Sequence, residues 1–211
     1  SINDVSVSEG AGTASFTVTR SGATGGTTTV DYATSGGTAT SGTDFTAASG
    51  SLTFAPGETS KTITVSITDD SNVESSEGFT VGLSNIADAS SAAESISDSS
   101  GAGTITDNDS AGLTLTGTSL TTSETGTTAT FTVKLNSQPS ADVTVTLTGL
   151  DTSEGSLSAS TLTFTSSNWN TAQTVTVTGV DDTIDDGDIA YTLTATTSST
   201  DTNYDGANAR T

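Results

Sequence analysis

Carboxylate side chains are concentrated in a few short segments of this sequence. Residues 69–77 read Asp-Asp-x-x-x-Glu-x-x-Glu, residues 107–109 read Asp-Asn-Asp, and five of the eight residues in 181–188 are Asp. Crowded carboxylates repel one another and raise each other's pKa, and a divalent cation reverses that effect. Calcium accepts about 6 to 8 oxygen ligands at flexible geometry, whereas magnesium demands strict octahedral geometry. These segments therefore predict calcium binding.

The composition excludes several other kinds of chemistry. The chain has 25 acidic residues against four basic ones and a formal net charge of −21. It cannot present the positive surface that nucleic acids require. It contains no Cys, His or Met, which removes thiolate and imidazole chemistry and most zinc and copper sites. Oxygen ligands for a hard cation remain.

An internal repeat with a spacing of roughly 110 to 115 residues organises the chain. Three blocks recur in the same order: residues 13–18 return as 128–133, residues 52–54 as 162–164, and residues 62–70 as 174–182. One repeat has the size of one domain. We therefore predict two domains, residues 1–110 and residues 111–211.

Apolar residues alternate with Thr and Ser in short runs, which predicts strands rather than helices. The first repeat has seven such runs, from Val5 and Val7 to Ile105. The second has six, including one at Tyr191 and Leu193, and its seventh strand is expected to be missing or unfinished. The expected fold is all-β, with two tandem immunoglobulin-like antiparallel β-sandwiches.

Such a sandwich brings distant acidic segments to the same end. Because successive strands reverse direction, the connections after the first, third and fifth strands share one end with the end of the seventh strand. In the first repeat these four segments carry Glu9, Asp44, residues 69–77 and residues 107–109. We expect their carboxylates to lie close together.

The first repeat contains six motifs in a distinctive order. They are Glu9-Gly10, Gly42-Thr43-Asp44-Phe45, Leu-Thr-Phe-Ala-Pro-Gly-Glu-Thr at 52–59, Ile67-Thr68-Asp69-Asp70, Glu74-x-x-Glu77-x-Phe79, and Gly-Thr-Ile-Thr-Asp-Asn-Asp at 103–109. This series closely resembles the Calx-beta domain, a family found in the regulatory region of sodium/calcium exchangers, in an integrin subunit and in large bacterial surface proteins. The resemblance implies calcium ligands at Glu9, Asp44, Asp69, Asp70, Glu74, Glu77, Asp107 and Asp109. It implies a main-chain carbonyl ligand at Asn72, and it places Asn108 where some members carry a further Asp.

The second repeat resembles a divergent Calx-beta domain of the bacterial surface-protein type. The resemblance implies candidate calcium ligands at Glu124, Asp151, Asp181, Asp182, Asp185 and Asp188. Glu154 is the alternative to Asp151. The terminal Asp-x-Asp motif has no counterpart in this repeat. We therefore expect an incomplete set of ligands in the second repeat.

These features predict a calcium-binding module that calcium stiffens, with a structural or adhesive role in a large extracellular or cell-surface protein. The expected partners are calcium ions, neighbouring repeat modules of the same chain and a host or cell-surface ligand. No stretch approaches the ~18 apolar residues of a membrane-spanning helix, so we expect no direct membrane insertion. Residues 1–4 do not resemble a signal peptide, so we expect targeting information elsewhere in a longer protein.

Two alternative functions remain open at this point. One is a spacer module with the same fold and no ion. The other is a carbohydrate-binding or ligand-binding adhesin module that uses Trp169 and Tyr204 as aromatic surfaces. Paired carboxylates also occur in glycosidases, but here the acids resemble an ion shell, and a glycosidase usually needs subsites lined by aromatic residues, which are only 5% of this chain; we therefore expect no enzyme activity.

Overall fold

The computed structural model describes residues 1–89, 95–183 and 187–210. Within these ranges the regular structure is β-strand, apart from one turn of 3-10 helix at Glu9–Ala11. None of the helical structure in this part of the chain has the length and hydropathy needed to cross a bilayer. The chain divides into two compact units, Ser1–Asp70 with Glu74–Asn108, and Ser71–Val73 with Asp109–Thr211.

The first unit contains seven strands in two sheets. They are β1 (Val5–Ser8), β2 (Thr13–Thr19), β3 (Thr28–Gly36), β4 (Ser49–Phe54), β5 (Ser60–Ser66), β6 (Glu77–Asp88) and β7 (Ser100–Thr106). One sheet has the order β1-β7-β6-β3-β4, and the other pairs β2 with β5. Strand β1 runs parallel to β7, with Ser8 opposite Thr106, while the other pairings in this unit are antiparallel.

Alternating side chains explain these strands and their core. In β2 the residues Ala14, Phe16 and Val18 are buried, while the Thr and Ser residues between them are exposed. The two sheets enclose Phe79, whose ring stacks on Phe45 with centroids 4.7 Å apart and meets the edge of Phe16 at 5.8 Å. A side chain on Gly103 would collide with the Phe79 ring, so this close approach requires glycine.

The second unit also has two sheets. Its strands are β8 (Leu113–Thr116), β9 (Thr128–Leu135), β10 (Val143–Thr148), β11 (Gly155–Leu157), β12 (Thr161–Phe164), β13 (Gln173–Gly179), β14 (Thr194–Ser198) and β15 (Asn208–Arg210). The sheet orders are β12-β10-β14-β15 and β11-β13-β9-β8, with antiparallel pairing throughout. The sequence predicts no complete seventh strand, and β15 occupies that place as a three-residue strand paired with β14. Strand β14 begins after Tyr191, which the sequence places in a strand.

A buried polar network connects two loops of the second unit. The hydroxyl of Tyr204, a fully buried residue, accepts a hydrogen bond from the Ser137 amide at 2.9 Å and donates to the Ser137 carbonyl at 2.7 Å. The Asp201 carboxylate is also buried and accepts hydrogen bonds from the amides of Ser140 at 2.8 Å and Asn203 at 3.0 Å. Tyr204 is therefore a core residue, so its ring is not available to the alternative carbohydrate-binding function.

Candidate metal centre

Four segments build one acidic end of the first unit, and the last of them ends at Asp109, which groups with the second unit. Glu9 begins the 3-10 turn directly after β1, and residues 107–109 directly follow β7. Because β1 and β7 are parallel neighbours in register, both segments leave the sheet side by side. Asp44 lies in the β3–β4 connection, and residues 69–77 connect β5 to the start of β6. The strand topology therefore brings the four acidic segments to one end of the sandwich, as expected from the order of the strands.

The first carboxylate group consists of Glu9, Asp107 and Asp109. Each offers an oxygen, and these oxygens lie within 4.8 Å of one another. Glu9 is only 5% exposed, and its Oε1 accepts a hydrogen bond from the Asp70 amide at 2.9 Å. The Glu74 amide donates to Asp107 Oδ2 at 2.7 Å. Backbone amides of the β5–β6 connection thus hold two of the carboxylates.

The second group consists of Asp44, Glu74 and Glu77, with oxygens again within 4.8 Å of one another. The Thr40 amide donates to Asp44 Oδ2 at 2.6 Å and orients that carboxylate. Asp44 and Glu77 are half-buried, while Glu74 is exposed. Six carboxylates in two groups therefore lie at this end.

The electrostatics of these groups favour a proton or a cation. Burial raises the pKa of Glu77 to about 7, and a hydrogen bond with Asp44 and the surrounding negative charges add to the effect. Burial and neighbouring carboxylates also raise the pKa of Glu9 and of Glu74. An oxygen-only set of negative ligands drawn from several loops is the kind of site that calcium occupies. The residues present therefore fit that ion.

The other predicted ligands of the first unit lie around these groups. Asp69 and Asn108 are exposed and contact each other, with Asn108 Nδ2 donating to Asp69 Oδ1 at 3.3 Å. The side chain of Asp70 is exposed, while its amide holds Glu9. Asn72 is half-buried and belongs to the short segment Ser71–Val73, which groups with the second unit.

Two residues that support the site carry no charge. A Cβ atom on Gly10 would lie 3.3 Å from Asn108 Nδ2 and 3.6 Å from Asp69 Oδ1, so a side chain there would crowd both residues. Thr40 contributes backbone atoms: its amide donates to Asp44 Oδ2, and its carbonyl accepts from the Asp44 amide at 3.0 Å. The sequence signals for them are weak: Gly10 follows the first ligand, whereas a backbone donor such as Thr40 has no recognisable pattern.

The predicted ligands of the second unit are more dispersed. Glu124 and Asp188 are exposed and line one cavity together with Glu154. Asp151 is exposed and accepts hydrogen bonds from the hydroxyl and amide of Ser153, which lower its pKa. Asp181 is exposed and Asp182 is half-buried.

Asp185 lies outside the described residues. Among the residues that are described, the second unit has no group of three carboxylates comparable to the two groups of the first unit. Calcium ligation in the second unit stays a prediction.

Comparison with known proteins gives the family. The sequence profile described as "Calx-beta domain" matches residues 2–109 and residues 106–209. Sodium/calcium exchanger 1 of Canis lupus familiaris is 42% identical over 87 residues, which cover 41% of this chain and 9% of the exchanger. Sodium/calcium exchanger 2 of Homo sapiens is 40% identical over 79 residues, covering 37% of this chain and 9% of the exchanger. The matched stretch is thus a small part of these relatives.

Solved structures support the same tandem fold. A crystal structure of the calcium binding domain CBD12 of CALX1.1 matches with a TM-score of 0.50 and 21% sequence identity, covering 92% of this chain and 77% of that chain. At this identity the match concerns the fold alone. It agrees with the prediction of two tandem immunoglobulin-like β-sandwiches, which is confirmed.

Two predictions require correction. The bacterial surface-protein type assigned to the second repeat is not borne out, because the relatives found are sodium/calcium exchangers. The extracellular or cell-surface location is wrong on the same finding, since the curated relatives that the chain matches are sodium/calcium exchangers. An acidic domain without Cys and without a membrane-spanning segment can have the same composition inside or outside a cell, so composition does not distinguish the two locations.

Proposed function

Because the chain belongs to the Calx-beta family, we propose that its first unit binds calcium at the acidic end and that binding orders the loops there. The single observation that supports this most strongly is the pair of carboxylate groups, Glu9 with Asp107 and Asp109, and Asp44 with Glu74 and Glu77. They come from segments far apart in the sequence. No local turn requirement accounts for their convergence.

The basic side chains of the first unit are engaged away from these groups. Lys61 contacts Glu58 at 2.8 Å. Arg20 forms a buried ion pair with Asp88 at 3.2 Å and donates to the carbonyls of Ala23 and Gly26. A cation from solution is therefore the natural counter-charge for the acidic end.

Calcium, when bound, supplies positive charge and oxygen coordination that replace the repulsion among these carboxylates. Glu9, Asp107 and Asp109 would hold one position, and Asp44, Glu74 and Glu77 another. The Asp70 and Glu74 amides already fix two of these carboxylates, so the β5–β6 connection is tied to the end of β7. Binding at a hundred times the dissociation constant would add about 2.7 kcal/mol per site to the free energy of unfolding.

Binding would also stiffen the path of the chain. Residues 107–109 directly follow β7, and the chain continues from there into the second unit. Calcium at the first carboxylate group would restrain this exit segment, as expected when a ligand neutralises local charge and orders a loop. A calcium-responsive structural or regulatory module is the function that this arrangement supports best.

An ion-free spacer is the second candidate function. The raised pKa of Glu77, at about 7, favours it because a shared proton between Asp44 and Glu77 relieves part of the same repulsion. The two candidates differ in their response to calcium at neutral pH, where a proton is only partly retained. That difference makes them separable by experiment.

The test is calorimetric calcium titration and thermal melting of the whole chain, with chelator and then with millimolar calcium. We expect saturable calcium binding and a calcium-dependent rise in melting temperature. The double variant Glu74→Gln/Glu77→Gln should lose most of both effects, whereas Glu58→Gln, which changes a half-buried acid outside both carboxylate groups, should retain them. Superimposable melting curves with and without calcium would leave the ion-free spacer as the function.

A further inference from the structure

The second unit contains a cavity of about 670 Å³ that the calcium proposal does not use. It lies between the β8–β9 connection, residues 118–125, and the segment 187–193 that leads into β14. Its volume is in the range of about 300 to 1,000 Å³ that small-molecule sites occupy. The residues that line it indicate which chemical class of ligand it would accept.

One part of the wall is apolar. Val177 and Leu193 are buried residues of the core, and Leu120 and Tyr191 pack against that core while remaining partly exposed. Ile189 also lines the cavity and is 43% exposed, the one large apolar side chain in the exposed class among the described residues. Apolar surface left open to water is unfavourable by roughly 25 cal/mol per Å². A ligand with an apolar body would cover this surface.

The charged part of the wall is entirely acidic. Glu124, Glu154 and Asp188 line the cavity, and no Lys or Arg is among its described lining residues. Of the two basic residues in this half of the sequence, Lys134 lies on β9 opposite Thr114, and Arg210 lies on β15. Charge complementarity therefore favours a positively charged ligand.

The spacing of these acids argues against a bare metal ion. Glu124, Glu154 and Asp188 do not form a group whose ligand oxygens lie within 4.8 Å of one another, as the two groups of the first unit do. Calcium needs about 6 to 8 oxygens at about 2.3 to 2.6 Å. A cation with its own bulk is a better match to carboxylates distributed around a cavity.

We propose that this cavity binds a small organic cation, an amine carried on an apolar skeleton. The ammonium group faces the carboxylates of Glu124 and Asp188, and the skeleton covers Leu120, Ile189 and Tyr191. The ring of Tyr191 offers a further surface for a cation. This site goes beyond the proposed calcium function and lies in the other unit.

The experiment is a titration of the isotopically labelled whole chain followed by amide NMR, in excess chelator so that neither unit holds calcium. The probes are phenethylamine, hexylamine, the neutral analogue 2-phenylethanol, and ethylamine, which carries the ammonium group without a large apolar skeleton. We expect at least one of the two larger amines to shift the amides of residues 123–125 and 187–191. Binding of 2-phenylethanol and of ethylamine should be weaker by about tenfold or more.

Matched variants test the role of the acids. Glu124→Gln/Asp188→Asn should weaken amine binding by about tenfold, whereas Asp142→Asn, which changes an exposed acid away from the cavity, should leave it unchanged. Trp169 fluorescence melts would verify that both proteins fold. Equal binding of the amine and 2-phenylethanol, undiminished binding to the double variant, or no binding of either larger amine would overturn the proposal. None of these outcomes affects the calcium signal of the first unit.

Discussion

Glu9 in the first unit and Asp201 in the second are buried almost equally, at 5% and 6% exposure, yet their pKa values shift in opposite directions. For Glu9, burial raises the pKa and the charges of nearby carboxylates raise it further, against one amide donor from Asp70. For Asp201, burial also favours the neutral form, but amides of Ser140 and Asn203 outweigh it and lower the pKa. Burial is common to both, so the neighbours decide the direction.

The difference explains how each unit orders its loops. Asp201 has backbone donors on both oxygens, and Tyr204 fastens the same loop to Ser137 nearby. The buried charge of Asp201 is therefore compensated by backbone hydrogen bonds and requires no ligand. Around Glu9, burial and the charges of neighbouring carboxylates raise its pKa, so the acidic end of the first unit gains stability from an added positive charge.

The largest expected effect separates these two carboxylates by substitution. Asp201→Asn should lower the free energy of unfolding of the second unit by about 1.5–3 kcal/mol, the range for hydrogen bonds to charged groups, with or without calcium. Glu9→Gln should instead stabilise the calcium-free first unit and abolish most of its calcium response, because it removes a crowded charge. Urea unfolding would follow the second unit by Trp169 fluorescence, since Trp169 is the single Trp of the chain, and the first unit by hydrogen exchange in β5 and β7.

Glu58→Gln is the control for the Glu9 variant, because it makes the same change at a glutamate of the first unit that lies outside both carboxylate groups. A Glu9 variant that keeps the full calcium stabilisation would remove Glu9 from the site. An Asp201 variant whose loss disappears in calcium would show that the second unit also depends on the ion.

The pH dependence of stability should also distinguish the units. In calcium-free protein the pKa of Glu77 rises from 4.5 to about 7 on folding, so its contribution to stability is full below pH 4.5 and is lost as the pH rises through about 7. The pKa of Asp201 is lowered on folding, so its contribution is present above 3.8 and is lost only as the pH falls below that value. Between pH 4.5 and 7 the first unit should therefore weaken while the Asp201 contribution stays constant.

Urea melts at half-unit pH intervals in chelator would measure both trends, with Glu77→Gln expected to flatten the first. Saturating calcium should reverse the slope for the first unit, because calcium binds the ionised carboxylates. A first unit whose chelated stability rises from pH 4.5 to 7 would contradict the assignment.

The smallest expected effect comes from adding charge at the edge of the site. Asn108→Asp replaces the amide that donates to Asp69 with another carboxylate. Calcium-free stability should fall by about 0.2–1 kcal/mol, the scale of exposed charge interactions, and calcium affinity should rise. Isothermal calorimetry would report the affinity, with the exposed Asn170→Asp as the control. Unchanged affinity would place residue 108 outside the ligand set.

Strand positions were largely predictable from the sequence, because alternation specifies which face of each strand is buried. The runs at Phe16, Val65 and Val81 all became core strands. Strand β11 was not predictable, since three residues starting at a glycine are too short to show a period. The gathering of Glu9 and Asp44 followed from strand order and needed no knowledge of side-chain contacts.

Contacts made by the backbone were beyond sequence reasoning. The amides of Asp70 and Thr40 support the site through atoms that every residue type shares. Asp201 reads as an ordinary loop acid, because its partner Ser140 lies about sixty residues away and nothing local marks the pair. Residue type reveals a ligand more readily than it reveals the donors that hold the ligand in place.

The parallel pairing of β1 with β7 also determines how the first unit carries load. Its register runs from Val5 opposite Gly103 to Ser8 opposite Thr106. A pull on the chain from before β1 and after β7 acts along these two strands in opposite directions, so their hydrogen bonds are strained together rather than opened one after another. The same pairing places Glu9 and Asp107 next to each other at the acidic end. An ion bound there would lie at one end of the β1–β7 hydrogen bonds that resist the pull.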